Sequence, residues 1–428
     1  MLDRNIAPPV KDFSTLSMPP VSRIKLDNGV VANIMNQGGQ EVFNLTAVWR
    51  GGNAECDKYS VPNLTLQLMR EGAGGMSGEE FSDTLEFNGA RIGVSADCHY
   101  STLRLYSLNS RAREVIPLLA TMCYEPALPE PEFSTVLERR IHQAELMAKK
   151  VEAQASRLSN KLMMGCNHPL ARYDSPEEIA NVTITDLHSW HNRIFLPGCG
   201  NLELFLSGHI DDNLIAAVNK SFGQITATDH QTPLNIEAFR CDSAKERHSA
   251  TVEGALQSSV RITYPAPLRT DPDYIPLRML VMALGGYFGS RLMSNIREDK
   301  GLTYGIASFL MGYPEGGIIG IESATDPSTV DALISETLKE VARLSSGDFT
   351  QGEITRLQRH LMSGLASSLD TPFDMMDYYI TAKLSHIPDG YFARQVEAIH
   401  SLTPALLGEM AEKYISPFKP VIVVAGPQ

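Results

Sequence analysis

The chain is short of basic charge, of long apolar runs and of closely spaced cysteines, and each shortage excludes something. Lys and Arg number 37 against 50 Asp and Glu, for a net charge of -13. That balance argues against a nucleic-acid surface, which needs clustered cations to neutralise phosphates, and weakly favours cationic ligands. No stretch approaches the roughly 18 apolar residues that a membrane span requires. The opening residues, "MLDRNIAPPVKDFSTLSMPP", carry charges and prolines where a secretion signal has an apolar core, so a cytoplasmic location is expected. Cys56, Cys98, Cys123, Cys166, Cys199 and Cys241 contain no C-x-x-C pair and read as buried thiols in a reducing compartment rather than as disulfides or a metal site.

What is present suits a soluble globular protein: 43% hydrophobic and 20% charged residues over 428 positions, enough for two domains of about 200 residues each. The order of elements repeats at a period of about 215 residues. "VFNLTAVWRGG" (42–52) is an alternating strand leading to a helix at 60–75, and "LQSSVRITYPAP" (256–267) leads likewise to "DYIPLRMLVMALGG" (273–286). A further helix and a strand pair follow in each half, then two longer helices, "SRAREVIPLLATMCYEP" and "PEFSTVLERRIHQAELMAKK" against "STVDALISETLKEVARLSSG" and "TQGEITRLQRHLMSGLASSL". Both halves close with helix, proline turn, strand and glycine: "TITDLHSWHNRIFLPGCGNLELFLSGHI" (183–210) and "LTPALLGEMAEKYISPFKPVIVVAGPQ" (402–428). Two α+β domains of one fold are expected, at 1–222 and 249–428. The aperiodic, polar stretch 223–248 between them reads as a linker.

The segment "SVPNLTLQLMREGAGG" (60–75) poses the functional question, because it offers no titratable group before Arg70 and Glu71. It is either an ordinary core helix or a site that has been emptied.

With its duplication, the chain resembles the pitrilysin/insulinase zinc peptidases and the mitochondrial processing peptidase over nearly its whole length. The resemblance implies two tandem α/β-roll domains, each an antiparallel-rich sheet with helices packed on one face, together forming half of a clamshell. In that family an inverted motif, H-x-x-E-H, lies on the helix after the first strand. Two histidines at i and i+4 share one Zn²⁺ and the glutamate polarises its water. Here those positions fall on Leu64, Thr65, Leu66, Gln67 and Leu68. Leucine has no lone pair to donate, and an amide is no general base near neutral pH. No cofactor is therefore expected in this chain, and the residues of 60–75 read as a zinc helix repacked with leucine.

The family's third ligand, a glutamate some 75 residues onward, corresponds to Glu145, 77 residues beyond Leu68 in "ERRIHQAELMAK", with Glu138 on the same face. One carboxylate holds zinc too weakly to matter, so Glu145 reads as a relic or a solvated helix residue. His142, three residues before Glu145, could pair with it, and His188 and His191 lie three apart on one helix without an acid or a third ligand nearby. All three read as surface or packing residues, and His168 and Arg172 as structural ones.

The segment "GGYFGSRLMSNIREDKGLTYGIAS" (285–308) resembles the family's C-terminal signature, which carries an arginine and a tyrosine seven apart, here Arg297 and Tyr304. The resemblance implies that the two donate hydrogen bonds to the substrate carbonyl as negative charge develops on it. The plain alternative is that Arg297 pairs with Glu298 or Asp299 on a surface while Tyr304 begins a strand. An intact Arg/Tyr pair beside an emptied zinc motif implies a zinc-less subunit, inactive alone, that supplies a peptide-binding chamber and this pair to a zinc-bearing H-x-x-E-H partner in a heterodimer. A scaffold or peptide-sequestering homodimer with no part in catalysis stays open beside it.

Overall fold

The computed structural model describes residues 15–196, 200–226, 235–241 and 246–427. Its strands are β1 (Ser22–Lys25), β2 (Val31–Asn36), β3 (Val42–Arg50), β4 (Gly72–Ala73), β5 (Met76–Ser77), β6 (Arg91–Ala96), β7 (Tyr100–Leu108), β8 (Leu202–Gly208), β9 (Arg247–Thr251), β10 (Ser258–Ala266), β11 (Ile306–Tyr313), β12 (Gly316–Thr325) and β13 (Val421–Gly426). The helices of the first half are α1 (Val61–Leu68), α2 (Gly78–Phe87), α3 (Ala112–Tyr124), α4 (Glu130–Ala148), α5 (Val151–Met164), α6 (Pro176–Ala180), α7 (Ile184–Ile194) and α8 (Asp212–Phe222). Those of the second are α9 (Tyr274–Gly285), α10 (Val330–Arg343), α11 (Gln351–Ser367), α12 (Pro372–Leu384), α13 (Tyr391–His400) and α14 (Pro404–Tyr414). Several helices begin where the side chains dictate. Reciprocal capping boxes form at Ser77/Glu80, Thr183/Asp186 and Thr350/Glu353, each satisfying two N–H groups that the first turn leaves open.

The duplication is written into the sheets. The first runs β1-β2-β8-β3-β7-β6 and the second β9-β13-β10-β12-β11 when read from the matching edge. In each, one neighbouring pair is parallel, β2 with β8 and β13 with β9, and the remaining pairs are antiparallel. β1 is an extra edge strand of the first sheet.

Most helices of each half pack on one face of its own sheet. In the first half the row Phe43, Leu45, Ala47 and Trp49 of β3 meets α1, α3, α7 and α8 in one core; in the second, Val260, Ile262 and Tyr264 of β10 meet α9, α10, α11 and α14. The opposite face of each central strand is buried too, which happens only when a sheet is covered on both sides. The cover is exchanged between the halves. α12, from the second half, sets Met376 and Ile380 against Met35, Val48 and Phe205 of the first sheet. α5, from the first half, sets Val151, Ala155 and Leu162 against Val421, Val423, Ala425 and Ile318 of the second. Ser159 Oγ also lies 3.3 Å from Thr263 Oγ1 there.

The stretch 223–248 contains residues 227–234 and 242–245, which lie outside the described residues. Its described part is bound rather than loose. His168 Nε2 lies 2.9 Å from Glu237 O, the Arg240 N–H donates to Met164 O, and residues 247–248 already run in β9. The expectation of buried thiols needs correction: Cys123 is buried and Cys56 and Cys98 are half-buried, but Cys166 and Cys241 are exposed, on the loop after α5 and on this strap. Cys199 lies outside the described residues. Among the described residues no helix is long and apolar enough to cross a membrane.

Candidate functional site

Helix α1 opens with Pro62 in its first turn, where a missing N–H costs nothing, and packs between α4, α7 and β6. Leu64 and Leu68 are 1% and 0% exposed, inside the same core as Trp49 and Leu105. Thr65 is buried and returns its hydroxyl to Val61 O at 2.8 Å. Gln67 alone among the motif positions points outward. This helix does not fit a zinc ion, because its two ligand positions are aliphatic and part of the core, and its base position is an amide in solvent. Among the described residues no three His, Cys, Asp or Glu side chains are grouped to hold a metal.

On α4 the inward row is Phe133, Val136, Leu137 and Ala144, with Arg140 reaching Ser60 at the start of α1, Nε to Oγ 3.5 Å. Glu145 is half-exposed and faces His142 at 3.5 Å on the outer side; Glu138 is exposed as well. His188 is exposed, whereas His191 is buried, stacks on Phe195 and lies 2.8 Å from Cys123 O. Burial pushes the His191 pKa down although the Cys123 carbonyl opposes it. The two therefore face apart and share nothing. His168 caps a short 3-10 turn, accepting the Leu170 N–H on Nδ1 at 3.2 Å, and Arg172 donates to Asp57 O.

The second-half segment is built differently. Residues Met293–Asp299 form π-helical turns, a widened geometry that recurs at functional sites. They are anchored from their N-terminal side. Arg291 bonds Asp348 at 2.8 Å and Glu353 at 3.0 Å and stacks on Phe349, while Asn295 donates to the buried Glu340 at 2.6 Å. Arg297 leaves these turns, lays its guanidinium over the exposed Phe288 ring at 5.0 Å and donates Nε–H to Tyr304 O at 3.0 Å. It forms no ion pair with Glu298 or Asp299 among the described residues.

The loop carrying Tyr304 is clamped from beneath by hydroxyls. Thr303 Oγ1 donates to Ala324 O at 2.6 Å, Ser323 Oγ to Gly305 O at 2.9 Å, and Thr325 Oγ1 to Leu302 O at 2.5 Å. From this fixed backbone the Tyr304 side chain stands 93% exposed. A guanidinium and a phenol held this way offer donors to an acceptor that comes from outside. Phe288, Thr303, Ser323 and Thr325 were not among the residues expected from sequence. The alternating hydroxyls of "IESAT" in β12 are the signal that could have found two of them.

A family profile described as "Peptidase M16 inactive domain" matches residues 181–361. The Bacillus subtilis protein named "Uncharacterized zinc protease YmxG" is 22% identical over 358 residues, spanning 82% of this chain and 85% of its own. From the same organism, "Probable inactive metalloprotease YmfF" is 23% identical over 297 residues, 66% of this chain and 67% of its own. Two solved structures share the fold: the peptidase M16 inactive domain from Pseudomonas fluorescens, with TM-score 0.82, 22% identity and coverage of 95% and 98%, and a protease from Helicobacter pylori, with 0.84, 16%, 96% and 100%. The relatives' names divide between zinc protease and inactive metalloprotease, so likeness along the chain does not assign activity. Residues 64, 67 and 68 bear on it directly.

Proposed function

From the premise that this chain is an inactive relative of the M16 peptidases, its zinc positions absorbed into a hydrophobic core, we propose that it is the zinc-less subunit of a two-chain peptidase. In this reading it supplies one wall of a peptide-binding chamber and places Arg297 and Tyr304 against the substrate carbonyl in the active site of a zinc-bearing partner of the same fold. The observation that carries the reading is the contrast between the two motifs. The Leu64 and Leu68 side chains serve packing alone, whereas Tyr304 contributes almost no packing yet rides on a loop fixed by three hydroxyls. A backbone fixed before the acceptor arrives limits what must reorganise to bring the hydroxyl to bear, which favours transition-state stabilisation.

The test is Tyr304→Phe in the complex with an H-x-x-E-H chain that co-purifies with this one. Loss of one such donor lowers kcat by on the order of 10²-fold, with KM and assembly unchanged because the ring remains. Arg297→Lys is also costly, since an ammonium cannot reproduce the fixed fork of a guanidinium. Glu145→Gln, on the outer side of α4, leaves the rate unchanged. If Tyr304→Phe turns over peptide as fast as the parent complex, the pair is structural and the chain is a scaffold or peptide-binding relative. Assembly is measured separately: a working pair buries at least the roughly 1,600 Å² of a standard interface, so gel filtration at micromolar concentration shows one species rather than two.

A further inference from the structure

The turns that close two equivalent hairpins, one in each half, meet inside the chain. The turn between β6 and β7 presents His99, and the turn between β11 and β12 presents Glu315. His99 Nε2 stands 3.4 Å from Glu315 Oε2, with the side chains 23% and 8% exposed. Both turns are held in place. Asp97 Oδ1 accepts the N–H groups of His99 and Tyr100, each at 2.7 Å, and the carbonyls of Asp97, Cys98 and His99 accept from Asn53, Ala54 and Gly51. A Cβ at Gly52 would meet Asp97 O at 2.4 Å, so only glycine permits this approach. On the other side Glu315 O accepts the Phe239 N–H at 3.0 Å, and the Phe239 ring lies against Gly316.

We propose that His99 and Glu315 form a pH-sensitive latch between the two halves, closed while the imidazole carries its proton and loosened when the proton leaves. Glu315 Oε2 is buried without a hydrogen bond of good geometry, so the imidazolium is what balances the carboxylate. A buried charge that loses its partner is the costly case. Burial alone pushes the His99 pKa down, but Glu315, Asp97 and Glu55 outweigh it and hold the value above that of an ordinary histidine.

The other groups packed around the pair are the Tyr100 ring, the Cys98 thiol and the Tyr59 and Tyr313 phenols, with Arg193 and Arg50 beyond Glu55. Burial pushes the Cys98 thiol up to about 11 and raises both phenols, so these stay neutral where His99 titrates. Because the folded value is raised, the stabilisation is fully present below the unfolded histidine value of about 6.5 and fades as pH rises through the folded one. The latch therefore loosens as pH rises above the ordinary histidine value.

Hydrogen exchange of the full chain reads it directly. With intrinsic rates removed, exchange at Cys98–Tyr100 and at Glu315 and Gly316 is expected to rise roughly fivefold or more between about pH 6 and about pH 8.5. Glu315→Gln, which leaves no carboxylate to balance, abolishes that step, and His99→Gln exchanges fast at both ends of the range. An NMR titration of the His99 imidazole gives a value above that of free histidine in the parent and a lower one in Glu315→Gln. An equal pH step in the parent and in Glu315→Gln overturns the proposal, as does a His99 value that Glu315→Gln leaves unmoved. If His99→Gln fails to fold, the Glu315→Gln comparison decides alone.

Discussion

Writing an H-x-x-E-H motif into α1, as Leu64→His, Gln67→Glu and Leu68→His together, should unfold the protein rather than create an enzyme. Leu64 and Leu68 are 1% and 0% exposed, so each replacement forfeits about 1.5–3 kcal/mol of apolar burial. Each also places imidazole nitrogens where nothing is set to bond them, at about 1–3 kcal/mol more. The two sites share one face of a short helix and will not add cleanly, but a combined loss of roughly 5–10 kcal/mol is comparable with the whole stability of a typical domain, about 5–15 kcal/mol. Zinc could offset such a loss only with a third protein ligand. Glu145 faces His142 on the outer side of α4, and the polar α4 side chain bonded at the start of α1 is Arg140. Gln67→Glu alone, at an exposed position, should stay within about 0.5 kcal/mol of the parent. Urea unfolding followed by circular dichroism, with metal analysis of whatever remains soluble, is the assay. A triple variant with an unchanged midpoint and close to one zinc per chain would mean that this face of α1 opens onto a ligand site, and the reasoning would be wrong.

Four further outcomes are expected. The unaltered chain, purified without chelators, should hold no stoichiometric zinc and cleave no peptide, and elemental analysis finding about one zinc per chain would contradict that. Expressed separately, 1–222 and 249–428 should be insoluble, because each sheet then loses the helix that covers its second face, and co-expression should restore both to the soluble fraction. The join is chiefly apolar, so Met376→Ala should cost about 2–5 kcal/mol in urea unfolding. Arg104→Ala, which removes a half-exposed fork to Asp377 at 2.6 and 2.9 Å, should cost no more than about 1 kcal/mol.

The repeated order of strand, helix and hairpin was legible because burial imposes period 2 on strands and period 3.6 on helices wherever they occur. The exchange of helices was not. Asn44 and Thr46 in β3, and Ser259, Arg261 and Thr263 in β10, alternate with apolar residues as if they faced water, yet all are buried beneath a helix from the other half. Polar residues on a covered face imitate a solvent face in a one-dimensional pattern. Likewise the sequence of α5, "VEAQASRLSNKLMM", does not say which sheet receives the helix. Contact between residues so distant in sequence follows from how the two halves meet, and no local pattern encodes that.

At the candidate site the same divide holds between what a residue is and where it points. That residues 64, 67 and 68 offer neither a zinc ligand nor a general base needed no structure, because the chemistry that leucine and glutamine lack is a property of the side chains themselves. Spacing along α4 put Glu145 on a helix but could not orient it, and the burial of its neighbour Ala144 turns it outward. For Tyr304 the sequence supplied the residue and its distance from Arg297; the 93% exposure and the hydroxyl clamp required three dimensions. That exposure also makes the functional test clean. A side chain with so little contact adds almost nothing to folding, so Tyr304→Phe should unfold within about 0.5 kcal/mol of the parent. Any loss of rate in a complex then reports on the hydroxyl and not on a damaged fold, and a variant that proved markedly less stable would show that Tyr304 packs against something after all.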